Sequence, residues 1–388
     1  MARHVLIIGG AGFIGSHLTD ELLHTGYRVR VLDNLCAQVH GPGCKRPQYL
    51  SGDAELIVGD VCCLETVKAA LKNVDDVYHL AAMVGVGQSM YAIRDYTDVN
   101  DVGTATLLQA LVERPVRRLI VASSMSIYGE GLYRDMDGRP TFPHNRVLRD
   151  LEKGEWELSD HFGRYLTPVY TPESKPPHLS SVYALSKYSQ EQMSFIVGKA
   201  YKIPVVALRL FNVYGTRQAL SNPYTGVLAI FASRILNNRS PLIYEDGLQQ
   251  RDFVHVSDVA RACRLALEVS SAAGQIFNIG SGNRYTILEI GYRLAEILGK
   301  EHLIPEITGR FRFGDIRHCF ADISLARRVL GYEPRVRLED GLTELAEWVA
   351  GQTAVDRCEQ AGYELQCRGL IHETALVRTP RMERIRIR

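Results

Sequence analysis

The chain enters a short apolar run at once and leaves it through glycines. His4-Val5-Leu6-Ile7-Ile8 is followed directly by Gly9-Gly10-Ala11-Gly12-Phe13-Ile14-Gly15. A strand, a tight glycine turn and then a helical pattern give the arrangement that brings backbone close to a dinucleotide pyrophosphate. A side chain at Gly12 would hold the backbone away from the phosphates, and Gly15 lets helix and strand pack closely. Free amides and the positive dipole end of the helix complete an anion site.

Further apolar runs at 28–32, 55–58, 76–80, 117–122 and 204–209 read as buried strands. Helical patterns at about 13–26, 64–72, 89–113 and 182–201 separate them. This alternation predicts an α/β fold, a Rossmann-type doubly wound parallel sheet with a smaller C-terminal α/β domain. The expected division is 1–210 for dinucleotide binding, 211–350 mainly for substrate, and 351–388 as a helical, basic extension. Strands near 242–244 and 275–279 fall in the second part, some of which is expected to return to the sheet. From Arg134 to Pro177, within an insertion at about 130–178, no periodicity is sustained. A connection of that length is a lid, a substrate loop or solvent-exposed decoration.

The second strand ends at Asp33, where a carboxylate accepts both ribose hydroxyls of NAD and repels a 2′-phosphate. Asn34 and Leu35 follow, with no arginine, so NAD is favoured over NADP. Asp60, after the third strand, is placed either to meet the adenine amino group or to cap a helix.

Tyr183 and Lys187 stand four apart in Tyr183-Ala184-Leu185-Ser186-Lys187, on one face of a helix. A nearby ammonium favours the phenolate over a phenol that ordinarily titrates near ~10, so Tyr183 is a candidate base for a hydroxyl proton. Such a pair also arises on ordinary amphipathic helices. The 388 residues carry a formal charge of +1, which gives no reason to expect nucleic acid or an anionic membrane as partner. No run approaches the ~20 apolar residues that span a bilayer. Eight scattered cysteines lack zinc spacing, and Cys62 and Cys63 are expected as core thiols. A cytoplasmic, reduced protein without a metal is expected. The five arginines between Arg378 and Arg388 read as a frayed end.

With these residues the chain resembles the extended short-chain dehydrogenase/reductase family, in its nucleotide-sugar epimerase/dehydratase branch, from about residue 4 to 350. Besides the glycine turn and Tyr183/Lys187, the resemblance rests on His79-Leu80-Ala81-Ala82, Asn100 before Gly103-Thr104, Ser123-Ser124-Met125-Ser126-Ile127-Tyr128-Gly129, Leu210-Phe211-Asn212-Val213-Tyr214-Gly215 and Arg251-Asp252-Phe253-Val254-His255-Val256. It implies Ser124 as the third catalytic residue. It implies cofactor contacts from Gly9, Gly12, Phe13, Ile14, Gly15, Asp33, Asn34, Asp60, Val61, Leu80, Ala81, Ala82, Asn100, Ser123, Tyr183, Lys187 and Phe211. Asn212, Arg251 and Arg317 would hold a sugar-nucleotide diphosphate, and arginine suits that chemically. Tyr244 would line the base pocket or pack in the core, and Val84, Ser124 and Ser126 would face the sugar. The branch also implies a homodimer paired through helices at 89–113 and 182–201.

Within this branch, dehydratases carry Asp-Glu directly after the triad hydroxyl. Decarboxylating members keep the Glu. Met125 and Ser126 stand there instead, and neither is a useful acid or base. A reductase would consume NADPH, against Asp33. What remains is 4-epimerisation, by oxidation and re-reduction of the sugar C4 through a 4-keto stage. Val84-Gly85-Val86-Gly87-Gln88-Ser89, the insertion and Gln218 to Tyr224 resemble a bacterial subgroup of dTDP-L-rhamnose 4-epimerases, which interconvert that sugar with dTDP-6-deoxy-L-talose. The alternatives are a UDP-hexose or UDP-glucuronate 4-epimerase, a dehydratase or decarboxylase, and an NAD-binding sensor or scaffold.

Overall fold

The computed structural model describes residues 2–374, apart from 144–145, 225, 313 and 353–354. The expected tail from Arg378 to Arg388 lies outside the described residues.

Seven parallel strands form the central sheet: β1 (His4–Ile8), β2 (Arg28–Asp33), β3 (Glu55–Val58), β4 (Asp76–His79), β5 (Arg118–Ser124), β6 (Val205–Leu210) and β7 (Ile276–Ile279). Their spatial order is 3-2-1-4-5-6-7. The order reverses between β1 and β4, and open sheets of this kind bind ligands at that switch, beyond the carboxyl ends of the strands. The strands read as unbroken apolar runs because both faces are covered. Side chains alternate along β1. Val5 and Ile7 pack towards helices α1 (Phe13–His24) and α5 (Val256–Glu268). Leu6 and Ile8 pack on the opposite side with α2 (Leu64–Ala70), α3 (Gly103–Glu113) and α4 (Val182–Tyr201). Each such side chain, fully buried, stabilises the fold by about 1.5–3 kcal/mol.

The segment after residue 210 does not stay in one place. It supplies α5 and β7 to the sheet, and its remainder builds a smaller lobe. There Phe231, Leu294, Leu342, Leu345 and Val349 bury together from helices Val227–Leu236, Ile287–Ile297 and Leu338–Ala350. The last of the described chain crosses back over this lobe. Helix Cys358–Cys367 is followed by a strand, Ile371–Glu373, that pairs antiparallel with Arg310–Arg312.

Two expectations are corrected. The stretch 89–113 is not one helix: it passes through a π-helical segment, Thr97–Val102, before α3 begins. The insertion is not structureless. Strands Leu132–Arg134, Pro140–Thr141 and Thr167–Val169 form a small sheet around buried Tyr133, Leu158 and Leu166. Cys63 is exposed and Cys62 only half-buried, so this pair is not a core feature. Among the described residues no helix is long and apolar enough to cross a membrane.

Candidate active site

The glycine turn sits at the sheet switch, and its dimensions leave room on one side only. Gly9 adopts φ +81°, and a Cβ there would lie 2.7 Å from the Ala81 nitrogen, so the β1 and β4 loops touch through it. A Cβ on Gly15 would run into the Gly9 carbonyl oxygen. Gly12 differs: a Cβ there would meet only that same oxygen, at 3.5 Å, in the space before the α1 N-terminus. No side chain caps α1, so its first-turn amides keep their donors for a ligand. Phe13 and Ile14 form this first turn, with Phe13 edge-on to His17.

Asp33 is buried beside the turn. One carboxylate oxygen accepts from the Ala11 amide at 3.0 Å, and the other from the Leu35 amide at 2.9 Å. A carboxylate has about four acceptor positions, so two remain for ribose hydroxyls. Asp60 accepts from the Cys62 amide at 2.8 Å and from the Asn34 side chain at 3.2 Å. Cys63 is the N-cap of α2, so Asp60 is not the cap. Val61 is buried against Gly103. Leu80, Ala81 and Ala82 leave β4 beside Gly9, and Phe211 packs near Tyr128. These residues fit a dinucleotide: free amide donors at the start of α1, spare carboxylate acceptors on Asp33 and one glycine face kept clear.

Two residues expected at the cofactor turn elsewhere. Ser123 donates its hydroxyl to Glu191 at 2.7 Å, inside the β5–α4 contact. Asn100, fully buried in the π-helical segment, accepts from the Met83 amide at 2.8 Å. It donates to the Met83 carbonyl at 3.1 Å and to the Ser186 hydroxyl at 2.9 Å. It ties the loop after β4 to the helix carrying Tyr183, which gives the irregular helix a local purpose.

Ser124 ends β5, and its hydroxyl lies near enough to the Tyr183 phenol to favour the phenolate. The Ser126 hydroxyl lies 2.7 Å from that of Ser124. Tyr183 lies in the first turn of α4, which Ser181 caps by accepting from the Ala184 amide. The Tyr183 amide donates to Ser89 at 3.1 Å, so the 84–89 loop is fastened to the base of this helix. Tyr96 packs edge-on to the Tyr183 ring at 6.4 Å. Burial pushes the Tyr183 phenol above its ordinary range, opposed by the Ser124 hydrogen bond. Lys187 is held down to about 7 by burial, against the attraction of Glu191. The ammonium was expected to acidify Tyr183. In the protein without cofactor its Nζ donates to Gln190 Oε1 at 2.7 Å.

On the opposite wall, Asn212 donates to the Asp252 carbonyl at 3.1 Å and approaches the Met125 sulfur at 3.5 Å. Arg251 spends donors on the carbonyls of Gln250, Ile316 and Arg317. Val84 is exposed at the rim. Arg317 is the main departure from expectation. It is wholly buried, and Glu157, Glu245 and Asp246 take all five of its N–H donors. Three carboxylates around a saturated guanidinium repel a diphosphate. Glu157 comes from the insertion and also accepts from His318 at 3.0 Å, so this is a structural clip between insertion and lobe.

A neighbouring arginine, missed in the sequence, is better placed. Arg312 stacks on Tyr244 at 4.6 Å, and its Nε is buried without a hydrogen-bond partner. Tyr244 is half-buried between Arg312 and Gly362 of the C-terminal helix, so it is not a core residue. The available signal was alternation: Arg310 and Arg312 share one face of the strand just before Gly314.

Fold and cleft define a dinucleotide-binding α/β class in which a serine at the end of β5 lies beside a tyrosine on α4, with a lysine one turn further along that helix. The chain belongs to the NAD-dependent epimerase/dehydratase family, whose model matches residues 5–146 and 161–280. It is 36% identical to a dTDP-L-rhamnose 4-epimerase of Burkholderia thailandensis, over 90% of this chain and 95% of that protein. It is 31% identical to a putative UDP-glucose 4-epimerase of Methanocaldococcus jannaschii, over 89% of this chain and 98% of that one. Its fold matches a UDP-glucuronic acid 4-epimerase from Bacillus cereus, solved with UDP-glucuronic acid and NAD. The TM-score is 0.73 at 28% identity, covering 90% of this chain and 99% of the other.

Proposed function

We propose that this protein is a cytoplasmic, NAD-dependent nucleotide-sugar 4-epimerase that interconverts dTDP-L-rhamnose and dTDP-6-deoxy-L-talose. The observation that carries the reaction type is the pairing beside Tyr183. Ser124 reaches the phenol, and the residues after it, Met125 and Ser126, supply no carboxyl group. Proton transfer is thereby limited to one hydroxyl, which is all that epimerisation requires. The 36% identity to a dTDP-L-rhamnose 4-epimerase supports the substrate.

The amides at the start of α1 hold the cofactor's pyrophosphate, Asp33 its adenosine ribose and Lys187 its nicotinamide ribose. When bound, NAD accepts a hydride from the sugar C4 and later returns it to the other face. Tyr183 takes the proton of the 4-hydroxyl and gives it back. The burial that raises its pKa in the free protein must be offset by Lys187 in its charged form, at ~1.4 kcal/mol for each pKa unit. Ser124 donates to the same oxygen as it becomes a carbonyl. Arg312 and Arg251 hold the diphosphate with Asn212, so that the sugar can turn over while its handle stays fixed. Tyr244 stacks near the base.

A homodimer accompanies this reading. Ile93, Val102, Leu185 and Ile196 are exposed on the segments at 93–113 and 182–201, with Ile196 67% accessible. Two of these side chains stand on α4 and two on the helical segments that lead into α3, and exposed apolar side chains of this kind suit a helical contact between subunits. Sedimentation at micromolar concentration should give twice the chain mass.

The substrate is tested by incubating the protein with dTDP-L-rhamnose, UDP-glucose and UDP-glucuronate and following the anomeric proton signals. Conversion of dTDP-L-rhamnose is expected. Turnover of a UDP-sugar alone would overturn the substrate assignment and leave the reaction type standing.

A further inference from the structure

Lys187 has a partner that proton transfer at a sugar hydroxyl does not require. Thr104 carries one hydroxyl proton, and it goes to the Asn100 carbonyl 2.5 Å away. The Thr104 oxygen is then an acceptor, and Gln190 Nε2 donates to it at 2.8 Å. His79 Nε2 also lies 2.8 Å from it. The orientation of the Gln190 amide follows: nitrogen to Thr104, oxygen to Lys187, whose Nζ donates at 2.7 Å. Gln190 is 1% exposed and Lys187 4%, so water does not replace either contact.

The charged and titratable groups around Lys187 make an amide there consequential. Glu191, next on α4, is already paired with Arg209 of β6 at 2.7 Å and accepts from Ser123. His79 of β4 is held neutral, its pKa pushed down to about 3 by burial and by Lys187 itself. Tyr183 lies one turn back on the same helix, with Tyr96 against its ring.

We propose that Gln190 is a positioning residue: its side-chain oxygen, oriented by Thr104, aims Lys187 and holds it by a hydrogen bond without neutralising it. A carboxylate at the same point would keep the lysine charged throughout the working pH range. An amide fixes its direction and leaves the charge responsive to what else enters the cleft. This rests on the reading that Lys187 serves bound NAD.

The test measures NAD affinity by calorimetry from pH 5 to 10, which needs no sugar. Full-length wild type, Gln190→Glu and Gln190→Met are compared, with circular dichroism as the check on folding. Wild-type affinity should fall as Lys187 loses its proton. Gln190→Glu should move that fall upward by about one to three pH units. Gln190→Met keeps the volume but removes the acceptor, and should move it downward. Opposite shifts from one site are not produced by a packing role. Coincident curves for the three proteins, or shifts of the same sign, overturn the assignment. If Gln190→Glu does not fold, the direction of the Gln190→Met shift decides. A wild type that binds no NAD at any pH overturns the proposed function and this assignment together.

Discussion

The guanidinium of Arg312 lies 4.6 Å from the centre of the Tyr244 ring, while Arg317, five residues on, is enclosed by Glu157, Glu245 and Asp246. The two arginines therefore respond to mutation in different ways. Arg312→Ala should raise KM for the nucleotide sugar roughly tenfold to hundredfold, the loss of one or two charge-assisted hydrogen bonds. Arg317→Ala should instead lower stability to urea by about 1–3 kcal/mol, because Glu157 and Asp246 lose their cation and buried Glu245 keeps only Arg146, at 2.7 Å. A reversed pattern would return the diphosphate to Arg317.

The glycine turn separates folding from binding. Gly15→Ala forces a methyl onto the Gly9 carbonyl and should cost about 1–3 kcal/mol of stability. Gly12→Ala meets nothing closer than 3.5 Å. Its melting temperature should stay near that of wild type while NAD affinity collapses, as read by calorimetry.

Tyr183→Phe removes the proton acceptor and keeps the ring against Tyr96. Turnover should fall by about 10²–10⁴ with little change in KM. Activity within about tenfold of wild type would show that another group moves the proton.

Lys187 gives a pH signature to the fold itself. Its pKa is about 7 when folded and ordinarily 10.5, so between these values the unfolded chain binds the extra proton. Stability should rise with pH through that window, with the contribution complete above 10.5 and lost as pH falls through about 7. Urea midpoints measured from pH 6 to 10 should show this slope in wild type, and Lys187→Met should flatten it.

The central sheet was legible because parallel strands buried on both faces leave long apolar runs. β1 and β3 fall on the predicted residues, and the other early strands end within two of them. The insertion was illegible for the converse reason. Strands of two or three residues, such as Pro140–Thr141, are too short to display an alternation. In the site, Ser124 at the end of β5 and Tyr183 in the first turn of α4 were both marked by their motifs and lie near each other. Arg317 misled because sequence carries no record of its partners: Glu157, which takes two of its five donors, is 160 positions away. Gln190 was invisible, since the demand on it comes from a threonine on another helix.

The strand at 276–279 has a consequence for how the protein is made. During synthesis, β6 emerges as the outermost strand of an otherwise finished sheet and stays unpaired on one side until residue 276 arrives. The intervening chain must first lay down part of the smaller lobe and then α5. A nascent chain stalled shortly after residue 210 thus exposes a fully apolar edge, Val205-Val206-Ala207-Leu208, open to pairing with any other strand. The order of translation leaves this edge uncovered for the length of chain between residues 210 and 276.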